Sequence, residues 1–237
     1  MGLKLDRQKR RSFLLSIIYR AAKLFRILSP KKRLELFLDL EWIFDRLAHE
    51  ESFKYYDQQK HPIRIQTIKF LKKHLKENYN VLDIGCNNGD ITLQIAPFVN
   101  KITGVDYNQN IIENVKKKNL NSKVEFIHCD AFEFLQDQKN KVDVIILSHL
   151  LEHIDDPKAF LNKCLSHASY IYIEVPDFEK TYLNNYRKDI SSSLNYTDSD
   201  HVWEFDREEL ENLLIELNLK IIDREFKHGI IKLWCNI

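Results

Sequence analysis

From residue 81 onward the chain alternates short apolar runs with helical segments, and this alternation limits its fold more than any other feature. The expected strands are 80–84, 101–106, 124–128, 142–148 and 170–175, with helices near 90–97, 109–118, 131–136 and 157–166. Strands that alternate with helices build a parallel sheet covered on both faces. The first strand runs into Gly85-Cys86-Asn87-Asn88-Gly89-Asp90 and then a helix. A glycine-bearing turn at the carboxyl end of a strand lets backbone amides approach a ligand closely. Gly85 and Gly89 are four apart, which is not the GxGxxG spacing of a dinucleotide fold, and no Lys-Ser/Thr follows to make a phosphate-cradling loop. The next strand ends at Asp106, an acid placed to accept hydrogen bonds from the hydroxyls of an adenosine ribose.

Leu82-Asp83-Ile84-Gly85-Cys86-Asn87-Asn88-Gly89 resembles the first motif of the class I, S-adenosylmethionine-dependent methyltransferases. The later blocks keep that family's order: Thr103-Gly104-Val105-Asp106, then Phe126-Ile127-His128-Cys129-Asp130-Ala131, then Asp143-Val144-Ile145-Ile146-Leu147-Ser148. The resemblance covers about residues 60–237 and implies a doubly wound, Rossmann-like α/β sheet of seven strands. A closing antiparallel hairpin, read at 219–226 and 230–237 around Lys227-His228-Gly229, would complete it. The resemblance further implies S-adenosylmethionine as cofactor, with Gly85, Cys86, Asn87 and Gly89 around its methionine part below Asp83 and beside Ser148. Asp106 would hold the ribose, Tyr107 would lie against the adenine, and Asp130 with Ala131 would meet the adenine amino group. The family often has glycine where Asn87 stands; asparagine tolerates left-handed backbone angles better than most residues. His61-Pro62-Ile63-Arg64 is similar to a segment of ubiquinone-type O-methyltransferases whose arginine meets the cofactor carboxylate, which implies that role for Arg64.

Ser148-His149-Leu150-Leu151-Glu152-His153 follows the fourth strand, where such sheets open their ligand crevice. Methyl transfer to a hydroxyl needs an aligned acceptor and a place for its proton, and a histidine near neutral pKa suits that place. His149 and His153 are the candidate catalytic residues. His149, Glu152 and His153 stand at i, i+3 and i+4, so on one helical turn they would project together. Small-RNA 2′-O-methyltransferases and ubiquinone-type O-methyltransferases bind a divalent metal ion at the matching loop. The resemblance therefore implies His149, Glu152, His153 and the downstream His201 as a possible ligand set, against a metal-free loop shaped by the same residues. Histidine in the first position would favour a softer metal than Mg²⁺.

Residues 1–33 carry a net charge of +10, and the rest of the chain −9. A basic arm on an acidic body points to an anionic partner for the arm and argues against a nucleic-acid groove on the body. The stretch 12–28 reads as an amphipathic helix, broken by Arg20, Lys23 and Arg26 and so unable to span a bilayer. Two roles stay open for it: peripheral binding to a membrane surface, or packing on the catalytic domain or a twin subunit. Ser29-Pro30 restarts a helix in which 34–48 reads as packed. The expected organisation is 1–58 as basic N-terminal helices and 59–237 as the methyltransferase domain. Four scattered cysteines fit a reduced, cytoplasmic protein, peripheral to the inner membrane face if the arm binds lipid. The segment 177–204 reads as a long acceptor-side loop bearing Phe178, Tyr182, Tyr186, Tyr196 and Ser191 to Ser193, and it is expected to hold the acceptor together with the N-terminal helices. Its aromatic and amide composition suits a hydroxylated small-molecule acceptor, sugar-like or nucleotide-linked, of the kind used in surface-polysaccharide biosynthesis. RNA 2′-O-methylation and non-catalytic cofactor binding are the alternative functions.

Overall fold

The computed structural model describes residues 13–137, 140–192, 194, 198 and 200–237. Its centre is one sheet of seven strands in the order β3-β2-β1-β4-β5-β7-β6. These are β1 Asn80–Ile84, β2 Lys101–Asp106, β3 Val124–His128, β4 Val144–Ser148, β5 Tyr170–Pro176, β6 Lys220–Lys227 and β7 Ile230–Asn236. β1 to β5 pair in parallel, while β7 runs antiparallel to both β5 and β6. The expected fold is therefore the observed one. Winding reverses between β1 and β4, and there the carboxyl ends of adjacent strands part to leave a crevice.

The central strands are apolar on both sides because helices cover both faces. In β4, Ile145 and Leu147 join a core with Leu82, Ile84, Phe160, Leu161, Leu210 and Leu214. Val144 and Ile146 point the other way, into Val81, Phe70, Leu71, Ile95 and Ile112. Each such side chain contributes roughly 1.5–3 kcal/mol by its burial. The edge strand β6 alternates instead, and Lys220, Asp223, Arg224, Glu225 and Lys227 guard it against edge-to-edge pairing.

The covering helices are α3 Pro62–His74, α4 Asp90–Ile95, α5 Gln109–Lys118, α6 Ala131–Asp137, α7 Pro157–Leu165 and α9 Arg207–Glu216; α8 Leu183–Asp189 lies outside this layer. Side-chain caps start several of them: Asn108 accepts from the Ile111 amide at 3.3 Å, Asp156 from Ala159 at 2.9 Å and Asp206 from Glu209 at 2.7 Å.

Two N-terminal helices precede this layer, α1 Phe13–Ala22 and α2 Pro30–Tyr55. The expected helix over 12–28 stops at Ala22 and tightens into a 3₁₀ turn, Lys23–Ile27. Pro30 holds Ser29 extended, so this turn cannot run on as a continuous helix into α2. Ser29 then caps α2, accepting from the Lys32 amide at 3.4 Å. No residue of α1 is buried, so its apolar face does not pack on the catalytic body.

α2 does pack there, through polar contacts. The Arg187 guanidinium of α8 donates to the Leu38 carbonyl at 2.6 Å and to Glu41 at 2.5 Å. Lys180 meets Asp45 at 2.6 Å, Arg46 meets Asp198 at 2.5 Å, and Phe53 stacks on His61 with ring centroids 4.0 Å apart. The segment 177–204 is correspondingly less irregular than expected, holding a 3₁₀ turn at Phe178–Lys180 and α8. Its helical periodicity was hidden because the positions that α8 buries are polar, Asn184 and Arg187. Ser12, Ser193 and Tyr196, named in the sequence reading, lie outside the described residues.

Candidate active site

β1 delivers Asp83 to the crevice, fully buried, where its carboxylate accepts from the Thr92 hydroxyl at 2.6 Å. Burial pushes its pKa up to about 6, partly offset by that hydrogen bond. The following turn is left-handed at Gly85 (φ 75°), Asn87 (φ 48°) and Gly89 (φ 76°). A side chain at Gly89 would bring its Cβ within 2.6 Å of Phe126, so this glycine is needed for space as well as for backbone angle. Asn87 keeps the turn without the family's glycine because asparagine tolerates this conformation.

Asp106, at the end of β2, fixes the turn from outside. One carboxylate oxygen accepts from the Asn87 amide and the other from the Asn108 amide, both at 2.9 Å. Each oxygen keeps capacity for a further hydrogen bond.

The expected cofactor residues fall into two groups. Arg64, Asp83, Gly85, Cys86, Asn87 and Ser148 line one cavity of about 210 Å³, together with His149. Asp106, Tyr107, Asp130 and Ala131 are not among its lining residues: Asp106 ends β2 with Tyr107 after it, Asp130 and Ala131 follow β3 at the head of α6, and Gly89 closes the turn at the start of α4. Tyr107 is 77 % exposed, and Asp130 accepts from the Phe132 amide at 2.8 Å at the head of α6. Gly85 and Gly89 let the turn pack closely against Leu150 and Phe126, and Arg64 lines the same cavity. These residues fit an adenosylated amino-acid cofactor whose carboxylate needs a cationic partner.

The reacting end departs from its sequence reading at His149. That residue has φ 52° and precedes the 3₁₀ turn Leu151–His153, so it does not share a helical face with Glu152 and His153. Its Nδ1 lies 3.2 Å from Glu152 and its Nε2 3.3 Å from Glu174, a carboxylate buried in β5. Glu174 also accepts from Thr67 at 2.7 Å, from Ser148 at 3.0 Å and from the Tyr172 hydroxyl. Burial alone would lower the histidine's pKa, but the hydrogen bonds to Glu152 and Glu174 outweigh it and raise the value to about 10. For Glu174, burial is outweighed by the same imidazolium and by Tyr172 and Thr67, and its pKa falls to about 2. His149 is thus drawn toward its cationic form between two acids, each ring nitrogen facing a carboxylate.

Glu152, His153 and His201 do come together, with one donor atom from each within 4.8 Å of the others. The Val202 and Trp203 amides donate to the Glu152 carbonyl at 2.9 and 3.1 Å, which brings the downstream histidine to the turn. His153 Nδ1 lies 3.1 Å from the Asp200 carbonyl and His201 Nδ1 2.9 Å from Glu204, and Nε2 of each ring has no hydrogen-bond partner among the described residues. The second carboxylate oxygen of Glu152 is buried with no hydrogen-bond partner among the described residues.

A larger cavity of about 550 Å³ adjoins the first and shares Arg64, Asn87 and His149 with it. Its walls include Lys180, Thr181, Asn184 and His201 from the acceptor-side segment, and His228 with Gly229 from the β6–β7 turn. Tyr182 and Tyr186 are not among the lining residues: they pair edge-on with centroids 5.5 Å apart on the exposed side of α8. The N-terminal helices were expected to help hold the acceptor, but none of their residues was named: the wall is formed by Glu41, Trp42, Asp45, Arg46, His49 and Phe53 of α2. The signal was the mixture of aromatic, histidine and charged residues on a helix with too few buried apolar positions to be core. His49 is held neutral, its pKa lowered by burial and then by Lys180 and Arg46.

The sheet order, the glycine turn and the acid ending β2 define a class I S-adenosylmethionine-dependent methyltransferase. The chain belongs to the family described as a methyltransferase domain, whose model matches residues 55–224. It is similar to the ubiquinone biosynthesis O-methyltransferase of Hydrogenovibrio crunogenus, 26% identical over 103 residues, which is 43% of this chain and 42% of that protein. The chain therefore spans about two fifths of the length of that curated relative in the match. Among solved structures it resembles the magnesium protoporphyrin IX methyltransferase of Synechocystis PCC 6803 (TM-score 0.57, 16% identity, 81% of this chain and 93% of that one). It also resembles the small RNA methyltransferase HEN1 (TM-score 0.58, 17% identity, 72% of this chain and 25% of that one). At such identities the structures share the fold alone.

Proposed function

We propose that the chain transfers a methyl group to a hydroxyl of a small polar acceptor, sugar-like or nucleotide-linked, bound in the 550 Å³ cavity. The observation that carries this reading is the wall shared by the two cavities: Arg64, Asn87 and His149 face both. When bound, S-adenosylmethionine supplies a methyl group on a sulfonium, whose departure leaves a neutral thioether. The chain's own task is then to align the acceptor and remove its proton. Arg64 would hold the cofactor carboxylate and the 85–89 turn its methionine part, with Asp106, Tyr107 and Asp130 along the adenosine. Trp42, Phe53 and Ile63 offer apolar surface for a ring, and Thr181 and His228 offer hydrogen bonds around it. A cavity closed by α2 suits a small molecule better than a polynucleotide, and the −9 charge outside residues 1–33 points the same way.

His149, drawn toward its cationic form, orients the shared wall. The proton goes instead to His49, the neutral imidazole facing the cavity from α2. Calorimetry with S-adenosylhomocysteine tests the cofactor half: binding to the native chain, and its loss in Asp106→Ala, are expected. No binding to the native chain would sink the reading. Labelled S-adenosylmethionine offered with sugar, nucleotide, lipid and RNA pools tests the acceptor half. His49→Ala should abolish transfer to the polar small-molecule pool while leaving S-adenosylhomocysteine binding intact.

A divalent cation at Glu152, His153 and His201 is a second element of the proposal. Its support is the unpartnered buried oxygen of Glu152 beside two histidines whose Nε2 atoms have no hydrogen-bond partner among the described residues. Two imidazoles and a carboxylate suit a transition metal ion, which would help to seat the acceptor oxygen. Metal analysis should find near-stoichiometric ion in the native chain and loss of it in His153→Ala; equally negligible metal in both rejects the site.

A further inference from the structure

We propose that the N-terminal arm, α1 with its 3₁₀ turn and the start of α2, is a docking surface for an anionic phospholipid bilayer. Phe13, Leu14, Ile17 and Ile18 fall on one side of α1, at spacings of one and four residues. All four are exposed, Phe13 by 82 %, and beyond them Leu24 and Ile27 stand out by 76 % and 91 %. So continuous an apolar face left in water marks an interaction site.

The neighbouring groove is charged to match a phosphate. A cavity of about 380 Å³ between the turn and α2 is lined by Tyr19, Ala22, Lys23, Arg26, Arg33 and Phe37, with three cations and no acid. Lys23 lies 4.8 Å from the Tyr19 ring centre, and Phe25 meets Phe37 edge-on at 6.3 Å, which fixes the groove's walls. Glu35 is turned to Lys31 at 3.8 Å. Apolar residues beside lysine and arginine that meet no acid among the described residues form the pattern of an interfacial helix. No helix among the described residues is long and apolar enough to cross a membrane, so the arm would lie on the surface.

Charge also selects among occupants. Residues 1–33 carry +10, so a second copy seated on this face would bring two strongly basic arms together. RNA would match the cations and leave the aliphatic face in water. Anionic lipid satisfies both, its headgroup phosphate at Lys23, Arg26 and Arg33 and its acyl region under Phe13, Leu14, Ile17 and Ile18. The inference stands apart from the acceptor assignment, since none of these residues lines the catalytic cavities.

The test is co-sedimentation of the full chain with phosphatidylglycerol vesicles, with phosphatidylcholine vesicles as reference. Binding to the anionic vesicles only, weakened by added salt, is expected. Replacing Arg26 or Arg33 by glutamine should weaken it about fivefold each, and Ile18→Asp should abolish it. Because no residue of α1 is buried, Ile18→Asp should keep native S-adenosylhomocysteine binding, which separates lost docking from lost folding. Any of four results would overturn the proposal: a folded chain that ignores anionic vesicles, Ile18→Asp binding like the native chain, release by inorganic phosphate at constant ionic strength, or an RNA complex in place of a vesicle complex. A dimer in sedimentation velocity, disrupted by Ile18→Asp without any vesicle binding, would assign the face to a second copy and overturn it as well.

Discussion

Asp83 shows how a single buried carboxylate links the cofactor crevice to the stability of the sheet. It was legible in the sequence as the acid before the glycine turn, but its proton affinity depends on burial, which no motif spells out. Its pKa rises from 3.8 in the open chain to about 6 in the fold. Between those values the folded state binds the extra proton, so stability falls as pH rises through this window. The loss is on the order of 3 kcal/mol for a shift of this size. Asp83→Asn should remove that slope, and urea unfolding followed from pH 4 to pH 6.5 would measure it; an unchanged slope in the variant would assign it to other groups. His149 teaches the converse lesson. Its spacing to Glu152 and His153 was readable, yet the left-handed backbone at 149 and the distant Glu174 decide its charge and the direction of its ring.

At the scale of elements, the strands were the most legible part, because runs such as Val144 to Leu147 have no stable place except between two layers of helix. Which residues of α2 form the acceptor wall was not legible, because α2 joins the body through ion pairs and stacked rings and not through an apolar stripe. Arg187 is the centre of that joint: fully buried, it reaches the Leu38 carbonyl, Glu41 and Asn184 at once. Removing it leaves Asn184 and the Leu38 carbonyl without their partner, a loss of about 2–3 kcal/mol once the half-exposed setting of Glu41 is discounted. Arg187→Ala should lower the denaturation midpoint accordingly and speed amide exchange along 30–55, while exchange in β1 and β4 stays slow. Uniform acceleration across the sheet would show that α2 and the body open as one unit, against this account.

For the whole molecule, the question is where the catalytic unit begins. The sequence suggested a division near residue 58, since the family's blocks and the helix carrying Arg64 come after it. The acceptor cavity also takes residues ahead of that division, as far back as Glu41. Ahead of Ser29 lies the uncovered α1; behind it lies α2, which contributes Glu41, Trp42, Asp45, Arg46, His49 and Phe53 to the acceptor cavity. The cofactor crevice uses nothing from either helix. Two truncations therefore separate three functions. A chain starting at residue 30 should keep S-adenosylhomocysteine affinity, denaturation midpoint and methyl transfer near native values, and lose only what the exposed arm does. A chain starting at residue 59 should still bind S-adenosylhomocysteine, because Arg64, the 85–89 turn and Asp106 all remain. It should lose transfer altogether, because the cavity is then open along one side and His49 is gone. It should also be less stable, since Arg187, Lys180 and His61 each lose a partner on α2. Measuring cofactor affinity and transfer rate on both chains decides the matter. If the shorter chain transfers methyl groups at the native rate, α2 is a cover and not a wall, and the acceptor must be held by the strand ends alone.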